Sequence, residues 1–207
     1  MLKENDANLG SLFGEATRKV YDNNDNERGV CVIIVMGLPG AGKSTVLKSL
    51  KTDYKIQNYG DLMLEIEKKE FGIKDRDEMR KLPIEKQKLA QKLVAQVLAK
   101  EKGKFILDTH CSIATPSGYY PGLPFEFLKM LKVNALVLIT ADVSEVASRR
   151  QSDPTRIRDV DNIALHDQMN KAYLAAYSAF TGAPAVVITN RQGKLEEAVA
   201  QLQGLLK

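Results

Sequence analysis

The stretch CVIIVMGLPGAGKSTVLKSL, residues 31–50, constrains the fold of this chain more than any other. The apolar run Val30–Met36 has the length and character of a strand buried on both faces of a parallel sheet. Directly after it, Gly37-Leu38-Pro39-Gly40-Ala41-Gly42-Lys43-Ser44 meets every fixed position of the phosphate-loop pattern G-x-x-x-x-G-K-[ST]. Thr45 to Leu50 then reads as the opening turns of a helix. Such a strand–turn–helix unit holds a polyphosphate against inward-facing backbone N–H groups, because glycine leaves room where a side chain would block the approach. The helix N-terminus adds partial positive charge. Lys43 supplies a mobile cation for the β- and γ-phosphates, and the Ser44 hydroxyl is placed to ligate Mg²⁺. The expected ligand is a nucleoside triphosphate.

From Val30 onward strand and helix signals alternate. After the first strand come Lys55–Asn58, Lys104–Leu107, Ala135–Thr140 and Ala185–Thr189. Helices are expected near 60–71, from Pro83 to just before Gly103, and over 125–131, 143–151, 163–180 and 195–206. The long helix after Pro83 carries Leu89, Leu93, Val97 and Leu98 on one face, and the Gly/Pro/Tyr segment 115–124 reads as a loop. Five strands separated by helices imply an α/β, three-layer fold with a five-stranded parallel sheet, and ligands in such sheets sit at the carboxyl ends of the strands. Residues 1–29 stand apart. They are polar and Asn/Asp-rich and read as an extension, with one short amphipathic helix allowed by Leu9, Leu12, Phe13, Ala16 and Val20. The domain proper is 30–207.

A second group of residues belongs around the phosphates. Asp108 ends the apolar strand KFILD, where a phosphate-loop protein places a carboxylate near its metal ion. His110 lies two residues on, facing the same crevice. The run RRQSDPTRIR, residues 149–158, carries four arginines around an Asp153-Pro154 turn, which allows a short flap closing over a phosphate chain. An arginine acting on a transferring phosphoryl group is worth roughly 10³–10⁵ in rate. The charged segment from Asp75 to Lys81 reads as a solvated helix whose charges compensate one another. A hydrolase needs a residue to activate water and an alcohol kinase needs a base, whereas a nucleotide acceptor brings an oxygen that is already ionised. Arginine clusters without a clear base favour the nucleotide acceptor.

Here the residues go beyond a generic phosphate loop. From Val30 to the C-terminus the chain resembles the archaeal-type adenylate kinases. The likeness is carried by GLPGAGKST, NYGDLM (58–63), DRDEMRKL (75–82), DTHCSIATPSGYYPGLP (108–124), RRQSDPTRIRD (149–159), HDQMNKAY (166–173), TGA (181–183) and NRQG (190–193). The resemblance implies a nucleoside monophosphate kinase fold with a short lid and the reaction ATP + AMP ⇌ 2 ADP with Mg²⁺. By that likeness Gly37, Leu38, Pro39, Gly40, Ala41, Gly42, Lys43, Ser44, Thr45, Arg149 and Arg191 bind ATP, with Asn190 and Arg191 near its adenine. It further implies that Arg80, Thr109 and His110 line the AMP side, within a segment of about 59–101 and the strand end that follows. The likeness also places Arg149, Arg150, Arg156 and Arg158 in the short lid region, about 150–160. Lys43, Arg149 and Arg158 are the expected catalytic cations, and Ser44 and Asp108 the expected metal residues, Asp108 through water. A homotrimer is implied by the same likeness. Two features of bacterial adenylate kinases are missing, the Gly-Phe-Pro-Arg segment after Asp108 and the long lid insertion, as expected for the archaeal type.

Composition narrows the rest. A net charge of +4 is too mild to imply nucleic acid, and small anionic substrates account for it. Cys31 and Cys111 cannot alone make a tetrahedral zinc site and are expected to be buried thiols. No apolar run reaches membrane-spanning length and no signal peptide is evident, so a soluble cytoplasmic protein is expected. Two other enzyme readings stay open at this stage: a kinase for another monophosphate or a small alcohol, and an ATPase that remodels a partner such as a ribosomal particle. A non-catalytic nucleotide-binding module is disfavoured by the intact Lys43 and Ser44.

Overall fold

The computed structural model describes residues 31–152 and 162–206, apart from the Arg80 side chain. The sheet forms from alternating apolar runs. β1 (Cys31–Gly37) sends Val32, Ile34 and Met36 to one face and Ile33 and Val35 to the other, all essentially sealed from solvent. Burying each such side chain contributes about 1.5–3 kcal/mol relative to leaving it in water, so this one strand commits both faces of the sheet to helical cover.

The remaining strands are β2 (Lys55–Asn58), β3 (Lys104–Thr109), β6 (Val133–Thr140) and β7 (Ala185–Thr189), in the order β2-β3-β1-β6-β7, every pair parallel. All five strands expected from sequence are present. One face packs on α1 (Lys43–Ser49) and α8 (Leu195–Gln203), through Val46, Leu47, Ala198 and Leu202. The other packs on α2 (Tyr59–Phe71), α4 (Ile84–Ala99), α5 (Phe125–Leu128) and α7 (Ile163–Thr181). The short α3 (Arg76–Arg80) bridges α2 and α4, and α6 (Val143–Gln151) follows β6. α2 starts where the Asn58 side chain accepts the Asp61 N–H, and it stops at Gly72 in the left-handed conformation, φ 70°.

Four sequence expectations are corrected. The buried face of α4 is Ala90, Val94, Ala95 and Leu98, while Leu89 is 47% exposed and Val97 43%. Alanine lets the helix lie close to its neighbours, so the true contact face is less conspicuous in sequence than the leucines beside it. The segment 115–124 is not simply a loop: β4 (Ser112–Thr115) and β5 (Gly118–Pro121) pair antiparallel around Pro116-Ser117. The Thr115 hydroxyl closes that turn, donating to the Gly118 carbonyl (2.9 Å), and Gly118 supplies φ +120°. Cys111 is buried as expected, but Cys31 is only half-buried, with its Sγ 3.4 Å from the Tyr54 hydroxyl. Finally, α5 ends at Leu128 and α8 at Gln203, each short of the expected bound. α3 bears out the solvated-helix reading of 75–81 among its described side chains, with Asp75 capping it through the N–H groups of Asp77 and Glu78.

Candidate active site

β1 lies between β3 and β6, so the turn after Gly37 overhangs the carboxyl edge at the centre of the sheet. Within the turn the Ala41 N–H donates to the Leu38 carbonyl (3.0 Å), and the Gly42 carbonyl accepts Thr45 N (3.0 Å) and Val46 N (3.1 Å), which launches α1. Leu38 and Ala41 root the loop in a small apolar cluster with Val146 of α6 and Ile163 of α7.

Three successive carbonyls of this loop are taken by side chains from outside it. Arg150 Nε donates to Pro39 O (3.0 Å), Arg149 Nη1 to Gly40 O (3.4 Å) and Asn190 Nδ2 to Ala41 O (2.9 Å). Arg149 is engaged further: its Nη2 donates to Glu145 Oε2 (3.0 Å), Asn190 O (3.3 Å) and Gln192 Oε1 (3.3 Å). Glu145 also accepts the Gln192 N–H (2.9 Å), so α6 and the loop after β7 are stitched together around the Arg149 guanidinium.

Across the crevice Asp108 is the next-to-last residue of β3, level with Val35 on one side and Asn58 on the other. Its Oδ1 forms an ion pair with Lys43, and its Oδ2 accepts from Asn58 Nδ2 (2.9 Å). Both partners of that ion pair are 11% exposed. Burial pushes the Lys43 ammonium down to about 8 from 10.5, with the adjoining carboxylate pulling the other way. Ser44 sits exposed in the first turn of α1.

Helix α7 braces the segment after Asp108. The Ser112 hydroxyl donates to Asn170 Oδ1 (2.6 Å), the Tyr173 hydroxyl to Tyr119 O (2.7 Å) and the Tyr177 hydroxyl to Cys111 O (2.9 Å). On the P-loop side, Thr140 donates to Asp167 Oδ1 (2.6 Å), whose other oxygen meets Lys171 (2.7 Å). His166 lies between these groups, its ring 5.0 Å from that of Tyr119, and burial pulls its imidazole below the ordinary range.

The structure thus gathers residues 37–45, Asp108, Arg149 and Arg150 at one edge of the sheet. Thr109 is buried beside Asp108, aligned with Met36, and His110 is exposed just beyond. Arg191 is exposed in the loop after β7. Arg156 and Arg158, with the expected flap, fall outside the described residues, as does the Arg80 side chain. The sequence alone points to no role for Asn58, Glu145 or Gln192, and Asn190 is placed near the site only by resemblance. Asparagines at strand ends carry no signal that separates a ligand-site role from an ordinary cap or turn.

Among the described residues no group of three or more His, Cys, Asp or Glu could hold a metal ion. The donors beside the phosphate loop are instead hard oxygens, one carboxylate and one hydroxyl. Mg²⁺ suits such a site because it keeps several waters and takes most of its remaining ligands from substrate phosphates. No helix among the described residues is long and apolar enough to cross a membrane.

A family model described as an AAA domain matches residues 36–165. Among solved structures, shikimate kinase from Bacteroides thetaiotaomicron superposes with a TM-score of 0.52 at 16% identity, covering 84% of this chain and 97% of that one. TT1252 from Thermus thermophilus superposes at 0.50, also at 16% identity, covering 86% and 97%. At that identity the two show the fold alone, an α/β architecture with helices on both faces of a parallel sheet. The curated relatives are much nearer. Adenylate kinase of Methanothermobacter thermautotrophicus is 42% identical over 183 residues, 85% of this chain and 99% of that protein. That of Methanopyrus kandleri is 46% identical over 181 residues, covering 82% and 94%. With a phosphate loop, a strand-end carboxylate and likeness of this extent, the chain belongs to the archaeal adenylate kinase family.

Proposed function

We propose that the chain catalyses reversible transfer of the terminal phosphoryl group of ATP to AMP, giving two ADP. The observation that carries this reading is the pairing of Lys43 with Asp108 at the mouth of a phosphate loop whose outward carbonyls are tied down. The relatives' names supply the acceptor. AMP needs no general base, because its phosphate oxygen is ionised at neutral pH, and the protein's task is to bring two polyanions into line and keep water out. The loop's N–H groups and the Lys43 ammonium take the charge on the donor phosphates. Arg158 is the proposed cation on the transferring group. Arg80, in a segment of about 59–101, and Thr109 and His110, at the end of β3, are the proposed AMP-side residues.

Mg²⁺, when bound, neutralises phosphate charge, and Ser44 with Asp108 would hold it, Asp108 through water. Asp108 pairs with Lys43 and keeps the ammonium inside the crevice. A cytoplasmic location and a homotrimer complete the reading. Neither nucleic acid nor membrane is expected as a partner.

Comparing ADP formation with AMP, CMP, UMP and shikimate as acceptors tests it. A clear preference for AMP supports the reading. Equal or better use of another acceptor overturns it, as does ATP hydrolysis that ignores AMP.

A further inference from the structure

Asn190 is 6% exposed and its side chain is committed to the phosphate loop rather than to solvent. Its amide lies 2.9 Å from Ala41 O, and a Cβ placed on Gly42 would overlap that same amide. Its backbone is pinned as well, N–H to Thr140 O (2.8 Å) and carbonyl to Arg149 (3.3 Å). The side chain therefore stands on a rigid strand end and meets the loop at one peptide.

A peptide is planar, so fixing the Ala41 carbonyl on Asn190 turns the Gly42 N–H to the opposite side. The Ala41 N–H is already spent on Leu38 O, whereas Gly42, at φ +83°, is free of the steric limits that would oppose this orientation. We propose that Asn190 is a positioning residue for phosphoryl transfer, acting through Ala41 to hold the Ala41–Gly42 peptide with its donor aimed into the phosphate crevice before nucleotide arrives. This goes beyond placement near an adenine, and it rests on the kinase reading above.

The asparagine is suited to the task because its amide donates while carrying no charge. A carboxylate of the same shape would set an acceptor against the Ala41 carbonyl and bring negative charge to an anion site. Only when protonated would it donate a hydrogen bond as the amide does.

Steady-state kinetics of wild type, Asn190→Ala and Asn190→Asp test the assignment, with ATP and AMP varied independently. Asn190→Ala is expected to lower kcat by about 10- to 100-fold, the scale of a small misplacement at a reacting centre, while KM for AMP stays within about twofold. Asn190→Asp is expected to lose more at pH 8 and to recover towards pH 5.5, a profile that wild type does not share, as its side chain gains a donor. Wild-type kcat within about twofold for Asn190→Ala would overturn the proposal, as would a loss that cooling restores or a pH profile for Asn190→Asp parallel to wild type. Failure of wild type itself to transfer phosphate to AMP would instead strike the kinase reading.

Discussion

The Lys43 ammonium rests on the Asp108 carboxylate, joining the first residue of the P-loop helix to the end of the neighbouring strand. Asn58 holds the other carboxylate oxygen from the strand beyond, so the lysine is aimed by two strands at once. The phosphate-loop cation is thereby kept near its point of use.

That burial gives Lys43 a pH signature. Its folded-state value is lowered to about 8, while the unfolded chain keeps the proton to about 10.5. Between these values the unfolded state binds more protons, so this group's contribution to stability rises with pH across that window. Charge on Lys43 is lost over the same range, and ATP affinity without Mg²⁺ should fall above pH 8. A carbon-detected NMR titration of the Lys43 side chain should show a midpoint near 8, and one above 10 would mean that the Asp108 attraction outweighs burial. Lys43→Met should stay folded and lose about 100- to 1,000-fold in kcat, the scale of removing one donor to developing charge.

Gly122 is a point of close backbone approach. A Cβ there would overlap the His110 carbonyl, while the Gly122 N–H donates to Cys111 O (2.9 Å). The Tyr177 hydroxyl donates to that same carbonyl (2.9 Å). Gly122→Ala must push the segment after Asp108 away from the hairpin. The expected cost is about 1–3 kcal/mol, seen as a Tm lowered by about 2–4 °C per kcal/mol in a chain of this size. An unchanged Tm would show that the hairpin yields freely.

Glu67 is fully buried on α2, and among the described residues neither carboxylate oxygen has a hydrogen-bond partner. Burial raises its carboxyl above the ordinary 4.5, so at pH values just above 4.5 the folded state keeps a proton that the unfolded state releases. Stability from this group is therefore present below about 4.5 and is lost as pH rises through the folded value. Glu67→Met should remove that slope and stabilise the fold by about 1–2 kcal/mol at pH 7 in urea unfolding. Destabilisation by the same change would mean that the carboxylate is paired and serves the fold.

Much of the architecture can be read from the chain because each cue is local. Val30–Met36, KFILD and the glycine turn announce themselves within a few residues, and so do Lys43 and Asp108. What sequence obscures is long-range or small. Asn58 and Asn190 act on Asp108 and Ala41, which lie 50 and 149 residues away. The α4 contact face turns on Ala90 and Ala95, which hydrophobic periodicity underrates beside Leu89. Pro116 disguises the hairpin, although Ile113, Tyr119 and Tyr120 are strand-forming residues. Arg149 reads as a flap cation yet spends its guanidinium on loop carbonyls and on Glu145, because α6 continues through it.

Following the γ-phosphoryl group itself tests the account most directly. With isotopically labelled ATP, AMP and Mg²⁺, label should pass into the β-position of newly formed ADP, two ADP appearing for each AMP consumed. Label released as inorganic phosphate at a rate indifferent to AMP would contradict the assignment.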